Sequence, residues 1–459
     1  MLQLAKVSLL QGWLPISLFS VNGISLVLLL FMKTKRGKKM FHLLIQLAIG
    51  VITFFVGGII AWLISDVFLV FGVSLGWLVI FSIACGFGLI GFAATALVFL
   101  HKWRKLVAVI AIILTLASTA LHVDMIYGEY TTIGSIFGMG GFPKLEVNKQ
   151  KSASSSIKQW RELAAQQKLP KLPKKGIVRS VYIPNTASHF NARIANVYLP
   201  PAALVKKPPK LPVMVMFAGQ PGSPNHFFAA SDIANTLDNY AKDHYGLAPI
   251  VVAPDQNGES SHNSLCADTH VFGKAETYLI NDVPKWIRKH LPVSKDPKMW
   301  LMGGFSQGGT CSTQLVPSHP DIFGNIFSAG GELEPTYKNR QETINHYFNG
   351  NTSEYERHVP SVIMRKNAPL KQNYYAIAGS WDTKSQANQA TIALSAHRAG
   401  MNVITMLSQG NGHDWHTVKA GLKIAIDQFC KKTGISSTAP KLNTYQNVQI
   451  LINQQVNRD

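Results

Sequence analysis

Apolar positions crowd into the first third of this chain and recur afterwards only in short blocks separated by polar stretches. Four long apolar runs come first, at 13–32, 41–64, 77–100 and 106–123. Each approaches the roughly 20 residues that a helix needs to cross a bilayer. The third is less sharply bounded, because apolar character begins near Val67. A tilted helix with an interfacial lead-in accounts for it more simply than a fifth crossing. No ionisable residue falls near the middle of a run, so the pattern predicts a plain anchor rather than a transport path.

Beyond 133 the pattern changes. The interval 134–175 is rich in Gly, Ser, Pro and Lys, including Gly138, Gly140, Gly141, Ser152, Ser154, Ser155 and Ser156, and is expected to be a tether with a short helical piece at 157–167. From 176 to 435 strand-like blocks alternate with helical ones. Strands are predicted at 177–183, 192–199, 211–218, 249–253, 298–305, 325–328, 373–378 and 403–407. Helices are predicted at 231–244, 275–290, after Ser306, at 386–398 and at 415–430. Such alternation predicts an α/β domain, a mostly parallel sheet with helices on both faces. The last segment, 436–459, is expected to be a tail.

Charge sets the expected topology. The chain carries a formal +20. Lys33, Lys35, Arg36, Lys38 and Lys39 lie between the first two runs, and Lys102, Arg104 and Lys105 between the last two; Asp66, Asp124 and Glu129 sit at the opposite ends. The positive-inside rule places both basic loops in the cytoplasm, and hence everything after about Val123 outside it. The expected localisation is therefore the cell membrane, multi-pass, with an extracytoplasmic second domain. The positive charge of that domain would draw it to anionic lipid or wall polymer. Zinc spacing, an RNP-like aromatic strand and a basic helix are all missing from the sequence, so nucleic acid is not an expected partner.

Within the α/β segment one pentapeptide carries chemistry. Gly304-Phe305-Ser306-Gln307-Gly308 follows a predicted strand and precedes a predicted helix. A nucleophilic serine sits on such a sharp turn, and small flanking residues let the turn close. The serine needs a base, and the base an orienting acid, in the order Ser, acid, His. Asp382, after the strand 373–378, and His413, after the strand 403–407, meet that order. Glu332 and Glu334 are rivals for the acid, and His416 for the base. An oxyanion would be held by the N–H of Gln307 and by a second N–H from the turn Ala218-Gly219-Gln220-Pro221-Gly222. Gln220 is the candidate there, since Pro221 has no N–H.

These residues, with Val197-Tyr198-Leu199-Pro200-Pro201, Glu276-Thr277-Tyr278-Leu279, Asp282-Val283-Pro284 and Gly412-His413-Asp414-Trp415, resemble the Putative esterase family of α/β-hydrolases. That group includes esterase D and the antigen 85 mycoloyltransferases. The likeness is greatest to its membrane-anchored actinobacterial members, and it runs from about Gly176 to Lys432. It implies an α/β-hydrolase fold and ester chemistry on Ser306, His413 and Asp382, with no metal or organic cofactor. The substrate would be an acyl ester of lipid or glycan, cleaved by water or transferred to a hydroxyl. The mycoloyltransferases look to use a Glu acid, a departure that weighs against the transferase activity. A non-catalytic envelope-binding protein that retains the fold is the alternative from another class. Cys311, on the helix after the nucleophile, and Cys266, in the loop after Pro254-Asp255, are expected to form a disulfide bracing the site.

Overall fold

A computed structural model describes every residue except 1–3, 34–37, 69–74, 102, 138–141, 147–154, 260–261 and 456–459. It divides into two compact units, Met1–Met139 and Gly140–Asp459.

The first unit is built on four long helices: α1 (Trp13–Phe31), α2 (Lys39–Trp62, extended by one wide turn through Val67), α3 (Trp77–Phe99) and α4 (Arg104–Tyr127). All four are long and apolar enough to cross a membrane. Their outward faces keep large apolar side chains such as Phe31, Phe55, Phe81 and Ile113 exposed, as lipid contact requires. Without a hydrophobic drive between helices in lipid, close packing depends on small residues. A Cβ on Gly50 would lie 3.1 Å from the carbonyl oxygen of Gly88, and one on Gly91 would collide with Thr53. One buried polar link joins α1 to α4, where Thr115 Oγ1 donates to Asn22 Oδ1 at 3.0 Å. Arg104, the first residue of α4, reaches the chain just beyond α1, where its Nη1 donates to the Lys33 carbonyl at 2.8 Å. The basic residues Lys35, Arg36 and Lys102, the lead-in at 69–74 and the glycines and serines at 138–141 and 152–154 lie outside the described residues.

The second unit holds a nine-stranded sheet. Its strands are β1 (Ile177–Val181), β2 (Ala195–Leu199), β3 (Val213–Phe217), β4 (Ile250–Ala253), β5 (Trp300–Phe305), β6 (Asn325–Ala329), β7 (Asn373–Gly379), β8 (Asn402–Ser408) and β9 (Val448–Gln454). They lie in the order β1-β2-β4-β3-β5-β6-β7-β8-β9. From β4 to β8 all neighbours are parallel, while β1, β2 and β9 pair antiparallel. The central strands are buried on both faces, which is why they read as unbroken apolar runs such as Val213-Met214-Val215-Met216-Phe217. Register aligns their carboxyl ends: Phe217 faces Gly304, Phe305 faces Ala329, and Ser408 faces Gly379. Three helices, α5 (Gln307–Ser318), α6 (Thr383–Arg398) and α7 (Trp415–Lys432), leave that shared edge after β5, β7 and β8.

Two expectations change. Much of 134–175 is built into the second unit rather than hanging as a tether. Ile157 and Trp160 of the short helix Ile157–Ala165 are buried in the main core, and Leu169 and Leu172 pack against it. The apolar area of the indole outweighs the flexible composition around it. The segment 436–459 is likewise more than a tail. Its Val448, Ile450 and Ile452 pack on the core while β9 extends the sheet edge. Three helices, Arg340–Phe348, Thr352–Glu356 and Pro360–Lys366, occupy the interval between β6 and β7, where the pattern predicts no element.

Candidate active site

Ser306 sits between the end of β5 and the first turn of α5 with φ 53° and ψ −115°. A positive φ at a side-chain-bearing residue costs on the order of 1–3 kcal/mol and persists only where its surroundings enforce it. Here the Ser306 N–H donates to the Ala329 carbonyl at 2.8 Å, locking the turn to β6. The flanking glycines are steric necessities. A Cβ on Gly304 would lie 2.5 Å from the Phe217 carbonyl oxygen, and one on Gly308 2.8 Å from that of Ala218. Ser306 is half-buried at the head of α5. The Gln307 N–H, at the first position of that helix, has no helical carbonyl to bond.

The loops after β7 and β8 are pressed together, for a Cβ on Gly379 would lie 2.5 Å from the Asn411 carbonyl oxygen. This contact brings Asp382 and His413 together. His413 Nδ1 donates to Asp382 Oδ2 at 2.7 Å, and both side chains are about nine-tenths buried. Because a carboxylate only accepts, the proton is fixed on Nδ1, and Nε2 is left as the acceptor. Asp382 Oδ1 also accepts from the Ser385 N–H at 3.0 Å, capping α6. Burial by itself pushes the Asp382 carboxyl up, but His413 and Ser385 together outweigh it and hold it below the ordinary carboxylate range.

Aromatic packing sets the imidazole beside the elbow. The ring of Phe305, the residue before Ser306, lies 4.8 Å from that of His413 and 5.0 Å from that of Trp415. Gly330, at φ 61°, floors the ring, since a Cβ there would lie 2.8 Å from His413 Cε1. The turn after β3 closes on the same point: a Cβ on Gly219 would lie 3.4 Å from Ser306 Cβ, so the turn that carries Gln220 approaches the nucleophile at Gly219.

The rival residues have other partners. Glu332 is half-buried and lies 3.7 Å from Lys384 Nζ. Burial raises its carboxyl above the ordinary range, against the pull of Lys384 and His413. Glu334 pairs with Arg340. His416 lies on α7, beyond the loop that presents His413. Cys266 and Cys311 are joined, with their Cα atoms 5.6 Å apart. Among the described residues, no group of three His, Cys, Asp or Glu side chains is arranged to hold a metal ion.

Sequence reasoning passed over one tie in this region. Buried Asp255 accepts from Arg193 Nε at 3.0 Å and from Nη2 at 2.7 Å. The same Nη2 donates to the Gly222 carbonyl at 2.9 Å, anchoring the Gln220 turn. The available signal was the Pro254-Asp255 pair at a strand end.

Serine, acid and histidine in that chain order, on loops along one edge of a sheet so connected, are the arrangement of the α/β-hydrolases. Residues 189–435 match the family model described as "Putative esterase". That interval is more than half of the chain, and the chain belongs to this serine-hydrolase family. An uncharacterized protein of Corynebacterium glutamicum is 29% identical over 346 residues, covering 73% of this chain and 78% of that one. Among solved structures the chain is similar to an S-formylglutathione hydrolase from Agrobacterium tumefaciens, with TM-score 0.47, 13% identity, and 57% and 98% of the two chains covered. It is also similar to MPT51 of Mycobacterium tuberculosis, with TM-score 0.40, 16% identity, and 58% and 99% covered.

Proposed function

We propose that this protein is a membrane-anchored serine esterase acting outside the cytoplasm on acyl esters of cell-envelope lipid or glycan. The contact between His413 and Asp382, 2.7 Å long and set beside the Ser306 elbow, carries this reading. Ser306 Oγ attacks the ester carbonyl carbon as its proton passes to His413 Nε2. The carbonyl electron pair moves onto oxygen, where the Gln307 and Gln220 N–H groups receive it. Collapse expels the alcohol, which takes the proton back from His413, and leaves an acyl group on Ser306. Water then enters and adds to the acyl carbon as it loses a proton to His413; collapse expels Ser306 Oγ, which takes that proton back, and the acid is released. Asp382 keeps the imidazole in the required tautomer and stabilises its cationic form.

The four apolar helices and the charge of their loops support the membrane and the orientation. The positive charge beyond them supports an anionic envelope surface. Transfer to a sugar hydroxyl is a second reading, favoured by the exposed indole of Trp381 next to Asp382. Purified full-length protein should release 4-nitrophenol from 4-nitrophenyl acetate with an initial burst, and folded protein that releases none contradicts the esterase reading. For orientation, a cysteine placed at exposed Ser437 should react with a membrane-impermeant maleimide in intact cells. Reaction only after lysis would reverse the topology.

A further inference from the structure

The side chain of Gln307 is held by four hydrogen bonds. Its Oε1 accepts from Gln256 Nε2 at 3.2 Å and from Asn257 Nδ2 at 2.8 Å. Its Nε2 donates to Asn257 Oδ1 at 2.9 Å and to Asn263 Oδ1 at 2.8 Å. Two acceptor and two donor positions exhaust a primary amide, so none is left for a substrate. Gln256 reaches further, for its Nε2 also donates at 2.9 Å to the carbonyl of Ala218, which opens the Gln220 turn.

Gln256 and Asn257 are themselves held. Ser264 Oγ donates to the Gln256 carbonyl at 2.6 Å, and the Ser264 N–H to Asn257 Oδ1 at 3.1 Å. Two residues on, Cys266 is bonded to Cys311 of α5, the helix that Gln307 begins. Gln256 and Asn257 are buried, and a buried polar network with this many mutual hydrogen bonds is rigid.

We infer that this amide cluster is the device that fixes the oxyanion hole: through Gln307, Asn257 and Gln256 it sets the separation between the Gln307 and Gln220 N–H groups. The inference rests on the esterase reading above. It makes Gln307 a positioning residue through its side chain, in addition to a donor through its backbone. A donor displaced by part of an ångström loses most of its advantage at the tetrahedral oxygen but little in the ground state. The cost therefore falls on kcat and on binding of a tetrahedral adduct, not on KM.

The test uses the full-length protein and two variants that open the cluster from opposite sides, Gln307→Met and Asn257→Ala. 4-Nitrophenyl acetate gives kcat and KM. A methyl trifluoromethyl ketone gives an inhibition constant, because Ser306 Oγ adds to its carbonyl and leaves the charge on that oxygen. Both variants are expected to lose about 10- to 100-fold in kcat, with a parallel loss of ketone affinity and KM within about twofold. If Gln307→Met fails to fold, Asn257→Ala decides alone. An unchanged kcat, or a fall in kcat without weaker ketone binding, overturns the inference while the esterase reading stands. Wild-type protein that neither hydrolyses the ester nor binds the ketone overturns both.

Discussion

One carboxylate serves two neighbours: Asp382 Oδ2 accepts from His413 Nδ1 at 2.7 Å, and Asp382 Oδ1 accepts from the Ser385 N–H at 3.0 Å. Catalytic orientation and helix capping are thus separable. Asp382→Asn keeps the cap but disturbs the imidazole's tautomer. It should lower kcat by about 10³- to 10⁴-fold, and it loses only the stability that the ionised carboxylate contributes above its unfolded-state pKa. Asp382→Ala should lose the cap as well, a further destabilisation of about 1 kcal/mol in urea unfolding.

The lowered pKa of Asp382 has a signed consequence. The stability its ionised form contributes is present above the unfolded-state carboxylate pKa and is lost as pH falls through the lower folded value. Asp382→Asn should therefore flatten the acid side of the stability curve. An equally steep acid limb in the variant would contradict the assignment.

Glu332 runs the other way. Its carboxyl is held above the ordinary range chiefly by burial, so the folded state binds its proton more tightly than the unfolded chain does. That contribution is present at low pH and lost as pH rises from the unfolded to the folded value. Glu332→Gln should make the protein slightly more stable at neutral pH.

The glycines of the elbow should be the least replaceable. Gly304→Ala sets a methyl 2.5 Å from the Phe217 carbonyl, in backbone that cannot yield. It should cost more than about 2 kcal/mol and abolish acylation. Gly410→Ala is the control. With φ 75° and nothing within 4 Å, it should cost only the conformational strain, about 1 kcal/mol.

The disulfide closes a loop with a sequence separation of 45 residues. Chain-entropy reasoning gives such a cross-link about 4 kcal/mol at most. Replacing Cys266 and Cys311 together by serine should lower unfolding stability by about 2–4 kcal/mol, read by denaturant titration.

What could be read from sequence follows from which physical demands leave a local mark. The elbow was legible because its steric demand falls on Gly304 and Gly308, fixed steps from Ser306. Asp382 and His413 were legible because parallel strands end at one edge, so residues just after predicted strands converge there. The amides at 256, 257 and 263 carried no such mark, since their partner Gln307 lies far along the chain and no periodicity links them. Trp160 and the alternation of Val448, Ile450 and Ile452 did leave a mark. It was hidden by a tether-like composition in one case and by terminal position in the other.

The most direct test of the account is covalent labelling of purified protein by a fluorophosphonate, which needs an activated serine and no knowledge of the natural ester. Wild type should label stoichiometrically, while Ser306→Ala and His413→Ala, each shown to be folded, should not. Folded wild type that stays unlabelled, or Ser306→Ala that labels as wild type does, would contradict the assignment of Ser306 as nucleophile.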